Sequence, residues 1–173
     1  MMTATTAEGS SPKDFIGALR SAGLRTTGPR IATMTALALR PHADTDTVIR
    51  QVRAELGAVS AQAVYNVLAA LVQAELVRRI EPAGSSALYE LRVGDNHHHI
   101  VCRLCGAVAD VDCAVGYRPC LTPSETHGYL LDEAEVTYWG YCPSCQELKG
   151  TGVPRDATTS IEEKEFDEGD GNA

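Results

Sequence analysis

The sequence predicts an α+β protein: an N-terminal winged helix-turn-helix followed by a C-terminal α/β domain closed by a four-cysteine metal site. Three observations predict it. The first ninety or so residues show helical periodicity in successive short segments and then a hairpin. The second half is β-rich. Two Cys-x-x-Cys pairs, Cys102-Arg-Leu-Cys105 and Cys142-Pro-Ser-Cys145, can supply four thiolates to one tetrahedral ion.

The helices follow in order. Phe15, Ile16, Leu19 and Ala22 fall on one face of a first helix, with Gly23 as its stop. After a turn at residues 25–30, Ile31, Met34, Leu37 and Ala38 form the apolar face of a second helix, ended by Pro41. Asp44 or Thr45 caps a third helix carrying Val48, Val52 and Leu56, and Gly57 ends it. Ser60 caps a fourth, with Val64, Leu68, Leu71 and Val72 facing inward. Residues 76–80 and 87–91 read as two strands around a turn at 82–86. This order suits a winged helix; any small helical domain packed on a hairpin is the plainer alternative. In the second half, Ile100-Val101 and residues 107–111 flank the first cysteine pair, 129–131 and 135–141 resemble strands, and 121–127 reads as a helix starting at Thr122 or Ser124.

Composition limits the possibilities. The chain has 173 residues, 44% of them apolar, enough for a core in each of two small domains. Residues 1–12 read as a disordered leader without the basic start and apolar run of a signal peptide, and residues 151–173 as a disordered acidic tail. No run of apolar residues is long enough to span a membrane. The expected compartment is the reducing cytoplasm, where six cysteines point to metal or redox chemistry. The net charge of −8 is unevenly placed: residues 1–92 carry ten Lys/Arg and eight Asp/Glu, so a local basic surface on the first half is open.

The four cysteines are the strongest signal, and the plain alternatives are unligated thiols or a redox pair. Thirty-six residues separate Cys105 from Cys142, so an ion there would clamp distant segments. His97 and His99 share a strand face, with His98 opposite, and imidazoles with carboxylates suit Fe²⁺, Mn²⁺ or Zn²⁺. Taken alone, the histidine triplet could equally be an exposed strand edge. His42, Glu90 and Asp110 are plausible partners that nothing local brings together.

These residues resemble the Fur superfamily of metal-dependent repressors over roughly residues 13–148. Ser60-Ala-Gln-Ala-Val-Tyr65-Asn66-Val-Leu68 resembles its recognition helix. His97-His-His-Ile-Val-Cys102-Arg-Leu-Cys105-Gly106 is similar to its histidine-cysteine signature, and Trp139-Gly140-Tyr-Cys142-Pro-Ser-Cys145 to its closing knuckle. Asp112-Cys113-Ala-Val-Gly and Pro119-Cys120-Leu-Thr-Pro resemble the actinobacterial FurA/CatR branch, whose members commonly answer to peroxide and repress a catalase-peroxidase gene.

The resemblance implies a winged-helix DNA-binding domain at 13–92 and a dimerisation and metal-binding domain at 93–150. It implies structural Zn²⁺ on Cys102, Cys105, Cys142 and Cys145. A regulatory Fe²⁺ or Mn²⁺, or Zn²⁺ in its place, falls to His42, Glu90, His97, His99 and Asp110. One extra residue stands between Glu90 and His97, and Glu90 occupies a place where many peroxide sensors carry Asp. Asn96 and Ala134 replace two ligands of a third site found in some relatives, leaving His98 and His127. The implied function is a non-enzymatic, homodimeric repressor of a palindromic operator, acting on a catalase-peroxidase gene and its own. An iron- or zinc-uptake regulator is the alternative within the family; a zinc hydrolase or a zinc-stabilised interaction module is the alternative outside it.

For DNA, Ser60, Gln62, Tyr65 and Asn66 are candidate recognition residues and Arg25, Arg30, Arg78 and Arg79 candidate phosphate contacts. Tyr65 could instead pack at the helix base, and each arginine could be plain surface. Cys113 and Cys120 are candidate redox thiols or, equally, apolar filler.

Overall fold

The computed structural model describes residues 12–91, 93, 95–114, 121–132 and 134–148. The acidic tail, nearly all of the leader and Cys120 lie outside the described residues.

Four helices and a small sheet make the first unit. Helix α1 (Pro12–Ser21) buries Phe15 and Leu19 and ends at Gly23, whose φ of 70° lets Leu24 N–H donate back to the Leu19 carbonyl at 2.8 Å. Helix α2 (Gly28–Leu39) starts with a proline in its first turn, where the missing N–H costs nothing. Its buried face is Ala32, Thr33, Met34, Ala36 and Leu37. That face is rotated from the expected one: Ala38 is exposed and Ile31 only half-buried. Helix α3 (Thr45–Leu56) is capped by Asp44, which accepts from Thr47 N–H at 2.8 Å, and buries Val48, Ile49 and Val52. Leu56 is 40% exposed, so the four-residue spacing continues past the core.

Helix α4 (Ala61–Gln73) is capped by Ser60, which accepts from Ala63 N–H at 3.1 Å. Residues 57–60 join α3 to α4 at a bend of 110°, the geometry of a helix-turn-helix. Strands β2 (Arg78–Ile80) and β3 (Leu88–Glu90) form the antiparallel wing. A two-residue strand, β1 (Ala43–Asp44), pairs with the other edge of β3, giving the order β1-β3-β2. Two residues are too few to show periodicity, so sequence reading missed β1. One apolar cluster, from Phe15 to Leu91, holds this unit together, with Leu19, Val48, Val52, Val64 and Leu71 fully inaccessible.

The second unit is a three-stranded sheet of order β5-β4-β6. Central β4 (His97–Cys102) pairs antiparallel with β5 (Val108–Asp112) and parallel with β6 (Thr137–Gly140), which leads into a short helix α5 (Pro143–Leu148). Two expectations fail here. Residues 121–127 form bends and a turn instead of a helix, and His127 and Gly128 both take left-handed backbone, with φ of 50° and 81°. Residues 129–131 are not a strand; Tyr129 and Leu130 are 75% and 98% exposed, and no strand among the described residues pairs with them. Among the described residues, no single helix is long and apolar enough to cross a membrane.

Candidate functional site

The four cysteines meet because β4 and β6 run parallel. Their register sets Cys102 beside Gly140, so the C-terminal ends of both strands, and the cysteine pairs there, emerge side by side. The first pair sits in a tight turn in which Gly106 N–H donates to the Cys102 carbonyl at 2.9 Å, with Gly106 at a φ of 73°. The second pair brackets the start of α5, where Cys145 N–H donates to the Cys142 carbonyl at 3.0 Å. All four sulfurs lie within 4.8 Å of one another. The Cys105 and Cys142 sulfurs are 3.7 Å apart. Four thiolates at about 2.3 Å from one Zn²⁺ sit about 3.8 Å apart, so the cluster is compatible with a zinc site.

The protonation chemistry agrees. Backbone N–H groups of Cys105 and of Cys142, the latter 3.3 Å from the sulfur, lower the Cys102 thiol to about 6. The Cys142 sulfur and burial push the Cys145 thiol up to about 12. Four crowded sulfurs cannot all ionise on their own; a cation in their midst removes that conflict.

The second cluster is built from two cross-strand pairs, one from each sheet. In the first sheet Ala43 faces Tyr89, and one step along that register sets His42 against Glu90. In the second, His99 directly faces Asp110. The ligand atoms of His42, Glu90, His99 and Asp110 all lie within 4.8 Å of one another. His42 reaches the cluster from a left-handed backbone, φ 59°, just after α2 ends. Such a conformation is uncommon outside glycine and costs energy that the surroundings must supply.

Glu90 is the hub. Its Oε2 lies 2.9 Å from His42 Nε2 and 3.5 Å from His99 Nε2; its Oε1 lies 3.0 Å from His97 Nε2. Sequence reading placed His97 and His99 on one face, and both are buried there, their rings edge-on at 4.9 Å. His97 is held by Glu90 but stands outside the compact group of four. The sequence suggested neither Asp95 nor its role: its Oδ1 sits 2.8 Å from His97 Nδ1.

The donor set fits a divalent cation. His42 Nε2 is buried and lies 2.9 and 2.7 Å from Glu90 and Asp110 oxygens, yet makes no well-angled hydrogen bond to either. Two carboxylates and a ring nitrogen that close, without mutual hydrogen bonds, are arranged as ligands around a shared centre. Burial pushes the His42 imidazole down, but Asp110 and Glu90 more than offset this and raise it to about 9. Burial likewise opposes ionisation of Glu90, and the close His42 and His99 imidazoles hold it well below the usual carboxylate range. Asp110 is lowered too, against burial, by His42. The cluster therefore stabilises ionised carboxylates.

Of the two histidines left from the third-site pattern, His98 packs its ring edge-on against Tyr138, and His127 is exposed beside Glu125 at 3.4 Å. Cys113 is half-buried, lining a groove of about 420 Å³ with Ile100, Val111, Leu121, Val136 and Tyr138.

On α4, Gln62, Tyr65 and Asn66 are exposed along one face, opposite the buried Val64, Leu68 and Leu71. Tyr65 is 49% exposed and so does not pack at the helix base. Gln62 Nε2 donates to Asn66 Oδ1 at 2.9 Å, presenting the two amides together. Ser60 Oγ accepts from Ala63 N–H at the helix cap, a bond that does not use its O–H. Arg25 and Arg30 lie together, Arg30 donating to the Arg25 carbonyl at 2.7 Å. Arg79 is paired with Glu81, and Arg78 is half-buried on the same strand.

A family model described as the ferric uptake regulator family matches residues 21–137. The chain belongs to the ferric uptake regulator family. It is a transcriptional regulator and not an enzyme. The transcriptional regulator FurA of Mycobacterium tuberculosis is 62% identical over 136 residues, covering 79% of this chain and 92% of that one. Among solved structures, the ferric uptake regulator of Helicobacter pylori, described with three functional metal-binding sites, superposes with a TM-score of 0.60 at 17% identity. It covers 82% of this chain and 97% of its own, and shows the shared fold. The Pseudomonas aeruginosa regulator, solved with manganese, gives 0.57 at 25% identity, covering 75% and 98%.

Proposed function

We propose that this member of the ferric uptake regulator family is a metal-dependent, DNA-binding repressor acting as a homodimer in the cytoplasm. Residues 13–92 form its reader domain and residues 93–150 its dimerisation and metal-binding domain. The supporting observation is the origin of the second cluster: His42 and Glu90 come from the helical unit, His99 and Asp110 from the β4–β6 sheet, and their ligand atoms lie within 4.8 Å.

His42, Glu90, His99 and Asp110, with His97 alongside, would hold Fe²⁺ or Mn²⁺, or Zn²⁺ in their place. Cys102, Cys105, Cys142 and Cys145 would hold structural Zn²⁺. A divalent ion at the mixed site supplies positive charge to two carboxylates and so favours the arrangement in which the two units touch. His42 and Glu90 then hold the reader at one angle to the dimer core. In a two-fold dimer this sets the separation of two α4 helices, as a palindromic operator requires. Gln62 and Asn66 present amides suited to adenine edges, Tyr65 adds apolar and hydroxyl contact, and Arg25, Arg30, Arg78 and Arg79 supply phosphate contacts.

The test is fluorescence anisotropy of the full chain on DNA from upstream of its own gene, with Mn²⁺, Fe²⁺, Zn²⁺ or chelator. Coupling of about 1–3 kcal/mol, roughly 5- to 150-fold tighter binding with the active metal, is expected. Binding that is indifferent to all three metals would sink the proposal.

The finer reading is peroxide response, with control of a catalase-peroxidase gene and of its own. Its support is the likeness of residues 112–116 and 119–123 to the peroxide-responsive branch, and the presence of oxidisable imidazoles of His42 and His97 at the site. Mass spectrometry of Fe²⁺-loaded, peroxide-treated protein is expected to show a gain of about 16 Da on His42 or His97. Loss of two hydrogens between cysteines would instead assign sensing to thiols, with Cys113 and Cys120 the candidates. An unmodified protein would favour iron or zinc uptake control.

A further inference from the structure

We infer that Asp95 is a positioning residue for the mixed histidine–carboxylate site, acting through His97. This rests on the reading of that site as a metal centre. Asp95 stands two residues ahead of His97, just before β4 begins, and its carboxylate is 39% exposed. The His97 side chain is fully buried. Its two ring nitrogens face two different carboxylates: Nδ1 is 2.8 Å from Asp95 Oδ1, and Nε2 is 3.0 Å from Glu90 Oε1.

A carboxylate only accepts hydrogen bonds and a neutral imidazole has one N–H, so His97 can donate to Asp95 or to Glu90 but not to both. A cation held by Glu90 would take the place of the proton at Nε2, and the N–H that remains is the one that donates to Asp95. Nε2 is the nitrogen turned toward Glu90, whose second oxygen touches His42 and His99. With a cation bound, Asp95 thus favours the tautomer whose lone pair on Nε2 faces the cluster. Together with the edge-on contact with His99 it also restrains the ring plane. An outer carboxylate of this kind orients a histidine and raises its basicity, and its loss costs about 10- to 100-fold in metal affinity.

Asp95→Ala and Asp95→Asn test this in the full chain with zinc already on the cysteines, by titration with Co²⁺ followed by visible absorption. Asp95→Ala is expected to weaken Co²⁺ binding by about 10- to 100-fold. Asp95→Asn, which keeps an accepting oxygen, is expected to recover much of the loss. Nitrogen-15 NMR of the histidine rings is expected to show His97 shifting from the Nδ1–H toward the Nε2–H tautomer in Asp95→Ala, a change that general loosening of the loop would not produce. His99→Ala and Asp110→Ala are the references. If they weaken Co²⁺ binding and Asp95→Ala leaves it within twofold of the parent with the tautomer unchanged, the role of Asp95 is overturned and the metal site stands. If none of the three changes it, the site reading itself falls.

Discussion

Replacing Cys142 with serine is expected to unfold the β4–β6 sheet while leaving the helical unit folded. The two units are held together by different means. The first has a continuous apolar cluster from Phe15 to Leu91. In the second, the buried apolar residues among those described are Val101, Cys102 and Cys145, beside three buried histidines. One buried valine is worth about 1.5–3 kcal/mol, too little to order a three-stranded sheet. Structural Zn²⁺ in small domains contributes about 10–16 kcal/mol. The cysteine cluster ties the ends of β4 and β6 to α5, so its loss removes the main constraint. Circular dichroism is expected to lose strand signal with helix retained, and zinc content to fall by one ion per chain. A variant with native NMR dispersion in β4–β6 and an unchanged melting curve would show that packing alone holds the sheet.

Glu90→Ala is expected to abolish metal-dependent DNA binding without disturbing the zinc. Glu90 is 1% exposed and touches three imidazoles through its two oxygens. Losing an outer partner of a metal ligand already costs about 10- to 100-fold in affinity, so losing Glu90 itself is expected to cost at least about a hundredfold. Because Glu90 belongs to the helical unit and His99 and Asp110 to the second sheet, the coupling between the units falls with it. Mn²⁺ titration and anisotropy, with zinc content as the control, would check this. Metal-stimulated DNA binding at the parent level would exclude Glu90 from the switch.

Local features were legible where chemistry or backbone demanded a residue type. Ser60 read as a cap and is one, and of the two candidates Asp44 and Thr45 it is Asp44 that caps, because a side-chain oxygen there satisfies an otherwise free N–H. Gly23 and Gly57 read as stops and take positive φ. The face of α2 was less legible, because alanines on two sides of a helix carry little contrast. The helix expected at 121–127 rested on a candidate start at Thr122 or Ser124 alone, and the left-handed backbone at 127–128 does not continue it.

The sequence by itself determined which groups can bind metal: four cysteines in two pairs, and histidines alternating on a strand. Residue type and a period of two fix those properties locally. Only the tertiary structure decided that these groups meet. Cys102 and Cys142 come together through the parallel register of β4 and β6. His42 and Glu90 meet across the β1–β3 register, whose two-residue strand leaves no periodic trace. His99 and Asp110 meet across β4 and β5, and Asp95 reaches the far side of His97. Register is a relation between distant segments, and a single chain read in order does not contain it.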